Sequence, residues 1–197
     1  MTLLAAALRR MSAALDASGH RYALVGGLAV SVRSEPRMTR DADFAVAVSD
    51  DADAERLISA LRVAGFVAST LVEQVATDRL ATVRLEHASN PGLFTDLLFS
   101  SSGIEREIVA SAEQIDVMNG VVLPVASVGH LIAMKLLARD DRRRPNDADD
   151  LRALAQVATE GDWSAAAEAV ALIETRGFNR ERDLKSALSA LRSDGAY

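Results

Sequence analysis

Asp41 and Asp43 stand two residues apart in the segment RDADFAV. On an extended chain that spacing turns both side chains to one face, about 7 Å apart, and turns Ala42 and Phe44 to the other, toward a core. Two like charges on one sheet face repel each other unless a cation bridges them, as a divalent metal ion does. Asp96, in FTDLLF, is an acid inside an otherwise apolar stretch. If its strand lies beside the first, the three carboxylates converge. Hard oxygen donors of this kind suit Mg²⁺ or Mn²⁺, and such ions in pairs activate an attacking oxygen and neutralise a leaving phosphate. The plainer reading makes Asp41 and Asp43 a solvated strand face and Asp96 a strand-end acid. A second DAD, Asp51–Asp53, opens a helix, where acids complement the dipole, and carries no chemistry.

Gly26-Gly27 falls at a strand-to-helix turn, where glycines let backbone N–H groups approach a phosphate and a helix N-terminus favours negative charge. A bare Gly-Gly is weak evidence, and a simple tight turn is the commoner explanation. Nearly every cation is arginine; the only lysines are Lys135 and Lys185. A lysine that persists against such a bias suits a task requiring a compact point charge.

The elements that must position these residues follow from periodicity. Thr2–Ala17 has apolar residues at helical spacing, and Gly19 ends the helix. Arg21–Val25 is a short strand before Gly26-Gly27, and Leu28–Arg33 a helix. Asp41–Val48 alternates as a strand, and Ser49-Asp50-Asp51 starts a helix over Ala52–Ala64 that Gly65 stops. Phe66–Thr70, Ala81–His87 and Leu93–Phe99 are three further strands, and Val117–Val125 a hairpin centred on Asn119-Gly120. From Ser127 the pattern becomes helical: Ser127–Ala138, Asp147–Ala158, Trp163–Glu174 and Arg180–Leu191. The expected class is α+β, a mixed β-sheet with flanking helices over residues 1–126, followed by a C-terminal helical bundle over residues 127–197.

Composition narrows the chemistry. The chain has 197 residues, enough for a real core, and no cysteine, which excludes disulfides, thiolate metal sites and a cysteine nucleophile. His20, His87 and His130 have no ligand spacing, which argues against a histidine zinc site. The apolar run Met1–Leu8 precedes Arg9 and Arg10, the reverse of a signal peptide, and no stretch reaches spanning length. A cytoplasmic protein with no membrane partner is expected. A net charge of −6 argues against broad adhesion to nucleic acid while leaving room for a local basic groove.

Gly-Gly, a spacer, Asp-x-Asp and a later strand Asp together resemble the nucleotidyltransferase superfamily with the DNA polymerase β-like fold. Within it, the chain is most similar to AbiEii-type toxins of bacterial toxin–antitoxin systems, whose four motifs have candidates from Tyr22 to Leu154. Gly26-Gly27 through Thr39-Arg40-Asp41-Ala42-Asp43 is the first, and Asp96 the second. GHLIAMK meets G-x-x-L-x-x-x-K in part: Gly129 lies two residues before Leu131 instead of three, and Leu131 to Lys135 matches. Asp147–Asp150 matches D-x-x-D.

The resemblance implies a metal-dependent transfer of a nucleotide from an NTP to an acceptor, often the 3′ end of tRNA, which blocks translation. Asp41, Asp43 and Asp96 would hold Mg²⁺ or Mn²⁺, and Gly26, Gly27, Thr39, Lys135 and Arg139 would meet the nucleotide. Asp147 or Asp150 would orient Lys135 or act as a base, with one of them capping the helix that follows. Arg33, Arg37, Arg40 and Arg142–Arg144 would hold acceptor phosphates, or, in the plainer reading of Arg142–Arg144, form a solvated loop. Thr39 matches a family position that some partner antitoxins phosphorylate. The alternatives are a drug-modifying enzyme of the aminoglycoside or lincosamide type, and a non-catalytic antitoxin or binding member of the superfamily.

Overall fold

The computed structural model describes residues 2–36, 38–39, 41–74, 79–118, 120–140 and 146–194. In chain order the elements are α1 (Leu3–Ser18), β1 (Tyr22–Val25), α2 (Gly26–Arg33), β2 (Ala42–Val46), α3 (Asp51–Val63), β3 (Phe66–Gln74), β4 (Arg79–His87) and β5 (Phe94–Leu98). They continue with α4 (Glu105–Ala110), β6 (Glu113–Asp116), β7 (Val122–Val125), α5 (Val128–Ala138), α6 (Asn146–Val157), α7 (Glu160–Thr175) and α8 (Leu184–Asp194). The fold is the expected α+β class. One mixed sheet has the order β3-β4-β5-β2-β1-β7-β6. β2 pairs parallel with β5 and antiparallel with β1, and β4 pairs antiparallel with β5.

Local chemistry explains the element ends. Thr2 caps α1 through Ala5 N–H, and Gly19 closes it in the left-handed region. Ser127 caps α5, and a capping box between Thr159 and Asp162 starts α7. Leu8, Met11 and Leu15 of α1 are fully buried, as is Phe44 of β2, whose ring meets Tyr22 edge-on at 5.8 Å. Each such side chain contributes about 1.5–3 kcal/mol by leaving water. The alternation expected around Asp43 is therefore present: Ala42 and Phe44 fill the core, and Asp43 faces outward.

Several boundaries differ from the sequence reading. β3 runs four residues past Thr70, because Leu71 and Val72 find partners in Val83 and Thr82. The hairpin's first strand lies earlier, at Glu113–Asp116, and Asp116 accepts from Gly120 N–H to close the turn; Asn119 lies outside the described residues. The six-residue α4 is too short to show periodicity. α8 begins at Leu184, since Arg180 and Glu181 have φ of 53° and 61° and Asp183 accepts from Ser186 N–H as a new helix start. Among the described residues, no helix is long and apolar enough to cross a membrane.

Candidate active site

A cleft of about 520 Å³ opens where β1, β2, β4 and β5 meet the helices α2, α5 and α6. Asp43 and Asp96 are direct register partners on the parallel strands β2 and β5, so their side chains leave the same face of the sheet. Asp41 immediately precedes β2 and lines the same cleft. The three acids thus share one opening, because β2 and β5 are neighbours.

The turn from β1 into α2 packs against these carboxylates. Gly26 is the first residue of α2 and has φ +67°. A Cβ at this position would land inside the Asp43 carboxylate. Glycine is required twice over here, by the backbone conformation and by the close approach of an acid. Gly27 also lines the cleft, so the N-terminus of α2 opens beside the acids. Thr39 lies on the cleft wall, and its hydroxyl donates to the Asp41 carbonyl at 3.3 Å.

The opposite wall comes from α5 and α6. Lys135 Nζ lies 2.7 Å from Asp147 Oδ1 and 2.6 Å from Asp150 Oδ2, and all three side chains are largely buried. Both acids hold the lysine. They differ in outlook. Asp147 lines the cleft, and its Oδ2 is buried without a hydrogen-bond partner among the described residues. Asp150 sits behind Lys135, away from the cleft lining.

Sequence reasoning missed Arg84. It is the register partner of Asp96 across β4 and β5 and grips both carboxylate oxygens, Nε to Oδ1 at 2.8 Å and Nη2 to Oδ2 at 2.7 Å. The alternation of Thr82, Arg84 and Glu86 along β4 was a signal for it, since Thr82 and Arg84 both face the cleft. The bond to Asp96, reinforced by Asp41 and Asp43, raises the guanidinium pKa further. Arg180, in its left-handed backbone, also reaches the cleft and donates to the Ser101 carbonyl.

Two expected phosphate contacts are placed elsewhere. Arg139 is the C-cap of α5 and is not among the described residues that line the cleft. Arg33 donates to the carbonyls of Ala126 and Val125 and pairs with Glu113, fastening α2 to β7 and β6. It is only 14% exposed and serves the fold, which corrects its reading as an acceptor contact. Arg37, Arg40 and Arg142–Arg144 lie outside the described residues.

The donor set of Asp41, Asp43 and Asp96 is all hard oxygen, the type that Mg²⁺ and Mn²⁺ take. Among the described residues no three acidic or histidine side chains form a ready metal cluster, and Asp96 is turned to Arg84. In kind and location the three residues fit such an ion, and Arg84 holds Asp96 in this structure.

A family model described as the nucleotidyl transferase AbiEii toxin of type IV toxin–antitoxin systems matches residues 6–194. The chain belongs to the AbiEii nucleotidyltransferase toxin family. This AbiEii member is thereby an enzyme that uses an NTP, and the family is one whose toxins act alongside cognate antitoxins. No curated protein matches the sequence. Among solved structures, an antigenic nucleotidyltransferase-like protein from Paracoccidioides brasiliensis is similar over 95% of this chain and 92% of its own, with 19% identity and a TM-score of 0.54. That likeness shows the fold. MenT4, a nucleotidyltransferase toxin from Mycobacterium tuberculosis, matches over 88% of this chain and 85% of its own, at 17% identity and a TM-score of 0.40. ANT(2″)-Ia, in complex with adenylyl-2″-tobramycin, matches over 96% of this chain and 98% of its own, at 15% identity and a TM-score of 0.46.

Proposed function

We propose that this AbiEii-family enzyme transfers a nucleotide from an NTP, bound with Mg²⁺ or Mn²⁺, onto the 3′ end of tRNA in the cytoplasm, and so blocks translation. One observation carries the reading: Asp41, Asp43 and Asp96 face Lys135 and Asp147 across a single cleft that opens at the N-terminus of α2.

Asp41 and Asp43, joined by Asp96, are the metal ligands. The ion supplies electrostatic neutralisation of the phosphates and a lowered barrier to deprotonation of the attacking hydroxyl. The N–H groups of Gly26 and Gly27, the dipole of α2 and the Lys135 ammonium receive the triphosphate. Thr39 lies beside the nucleotide. The acceptor hydroxyl oxygen forms a bond to the α-phosphorus as the α–β anhydride bond breaks, and pyrophosphate leaves. The hydroxyl proton leaves to solvent through the open cleft, and Asp147 and Asp150 are positioning residues that hold the Lys135 ammonium toward the triphosphate.

A phosphate on Thr39 adds roughly two negative charges beside three carboxylates, which would repel nucleotide and disturb metal binding. Phosphorylation of Thr39 by an antitoxin partner is therefore proposed to silence the enzyme. Full transfer activity from stoichiometrically Thr39-phosphorylated protein would refute this.

The test of the whole reading is label transfer from each of four NTPs, with Mg²⁺, to bulk tRNA and to an aminoglycoside and lincosamide panel. Label in tRNA that disappears with Asp41→Ala or Asp147→Asn supports the proposal. Label in a drug alone replaces tRNA with a small-molecule acceptor. No transfer to any acceptor rejects it.

A further inference from the structure

Arg84 makes a contact that the proposed reaction does not use. Its guanidinium engages both oxygens of Asp96 as a two-pronged fork, the strongest geometry available to an arginine and a carboxylate. The pairing is built in by register, because the two residues sit opposite each other on β4 and β5. Phe94, also on β5, lies under the guanidinium at 5.5 Å and supports it from one side. Asp41 and Asp43 add their negative field from the cleft. A lysine could neutralise Asp96 but could not occupy both of its oxygens at once.

We infer that Arg84 is a resident counter-cation that competes with a divalent ion for the oxygens of Asp96, so that the chain's own arginine gates its third carboxylate. The inference rests on the proposed role of these acids as metal ligands. Arg84 keeps Asp96 oriented and covered. The Arg84 side chain is 42% exposed, so water screens the pair, and a divalent cation backed by Asp41 and Asp43 can displace it. The released guanidinium stays on the cleft wall, where the arriving group is a polyanion. Arg84 thereby sets how much metal the site needs, and acts as a positioning residue.

The experiment reads metal affinity and not turnover. Mn²⁺ binding to the full chain is titrated by the electron paramagnetic resonance of the free ion, for wild type, Arg84→Met, Asp96→Asn and the double variant, with circular dichroism to check folding. Arg84→Met keeps the apolar stem over Phe94 and is expected to bind Mn²⁺ about three- to tenfold more tightly than wild type, the range of a half-exposed forked ion pair. In the Asp96→Asn background the same change should have no effect. Damage to the fold would weaken binding, so tightening is a signature that a merely structural arginine does not give. If Arg84→Met does not fold, Arg84→Lys, which keeps the charge and loses the fork, should also tighten binding.

Unchanged or weaker Mn²⁺ binding in the folded variants overturns the inference. So does equal tightening with and without Asp96, which would reduce Arg84 to a general field effect, and so does the absence of Mn²⁺ binding in every form. If the predicted binding pattern is found and no nucleotide is transferred to any acceptor, the proposed function fails and the gating by Arg84 stands.

Discussion

Gly26 and Lys135 show how much depends on single residues in this cleft. Gly26 combines a left-handed backbone with direct contact to Asp43, so Gly26→Ala must either move the strand-to-helix turn or displace the acid. Backbone strain alone costs about 1–3 kcal/mol. The expected outcome is a lower midpoint in chemical denaturation together with loss of nucleotide transfer. Lys135 lies between Asp147 and Asp150 and pairs with both. Lys135→Met leaves two buried carboxylates without it, and breaking such a buried cluster costs about 3–5 kcal/mol. Urea unfolding of Lys135→Met should show a loss in that range, and an unchanged midpoint would mean that the triad is not structural.

The acids and the lysine were legible in the sequence because each is an exception in its surroundings. Asp96 is an acid among apolar residues, and Lys135 a lysine in an arginine-rich chain. Arg84 was legible only as part of the polar side of β4; its partner is set by the pairing of β4 with β5, which one sequence does not reveal. Arg33 misled for the converse reason. An arginine near an acidic motif resembles a phosphate contact, and only the fold shows it spent on the carbonyls of Val125 and Ala126.

At the scale of elements, the cleft depends on α5 lying close to its neighbours. Gly129 lets α5 approach α7 so nearly that a Cβ would collide with the Asp162 carbonyl and the start of Ala166. Gly129→Val is therefore expected to push α5 outward, costing about 1–3 kcal/mol as overpacking. It should also weaken nucleotide binding, because Lys135 lies farther along the same helix. Thermal unfolding and nucleotide titration check both effects; a stable variant with normal binding would show that the approach is not needed. The long helices were readable from their apolar spacing and caps, as with Thr2 on α1 and Ser127 on α5. Elements fixed by tertiary pairing were not. β3 extends because β4 offers partners, and α8 starts late because Arg180 and Glu181 adopt left-handed backbone beside the cleft.

For the molecule as a whole, pH should act through His130 and Glu107. Burial lowers the His130 pKa below its ordinary value of 6.5, outweighing the opposing pull of Glu107 and Glu168; Ser111 and Ser127 hydroxyls hold the ring. Above 6.5 the histidine is neutral folded or unfolded, and its contribution is fully present. As pH falls below 6.5 the unfolded chain takes up the proton first, so stability drops until the folded pKa is passed. Glu107, held low by its bonds to Arg176, adds a second loss at more acid pH, below its ordinary value of 4.5. Denaturation midpoints from pH 8 to 4 should decline on this schedule, and His130→Gln should flatten the first part. A midpoint independent of pH between 7 and 5 would contradict the assignment.

On the proposed function, one cleft gathers the metal, the triphosphate and the transferring groups. A crystal of the protein with Mn²⁺ and a non-hydrolysable NTP analogue examines it directly, through the anomalous signal of the metal. The expected map shows a manganese peak beside the carboxylates of Asp41 and Asp43, and a triphosphate running from the N–H groups of Gly26 and Gly27 toward Lys135. A nucleotide bound outside this cleft, or a metal held without Asp41 and Asp43, would contradict it.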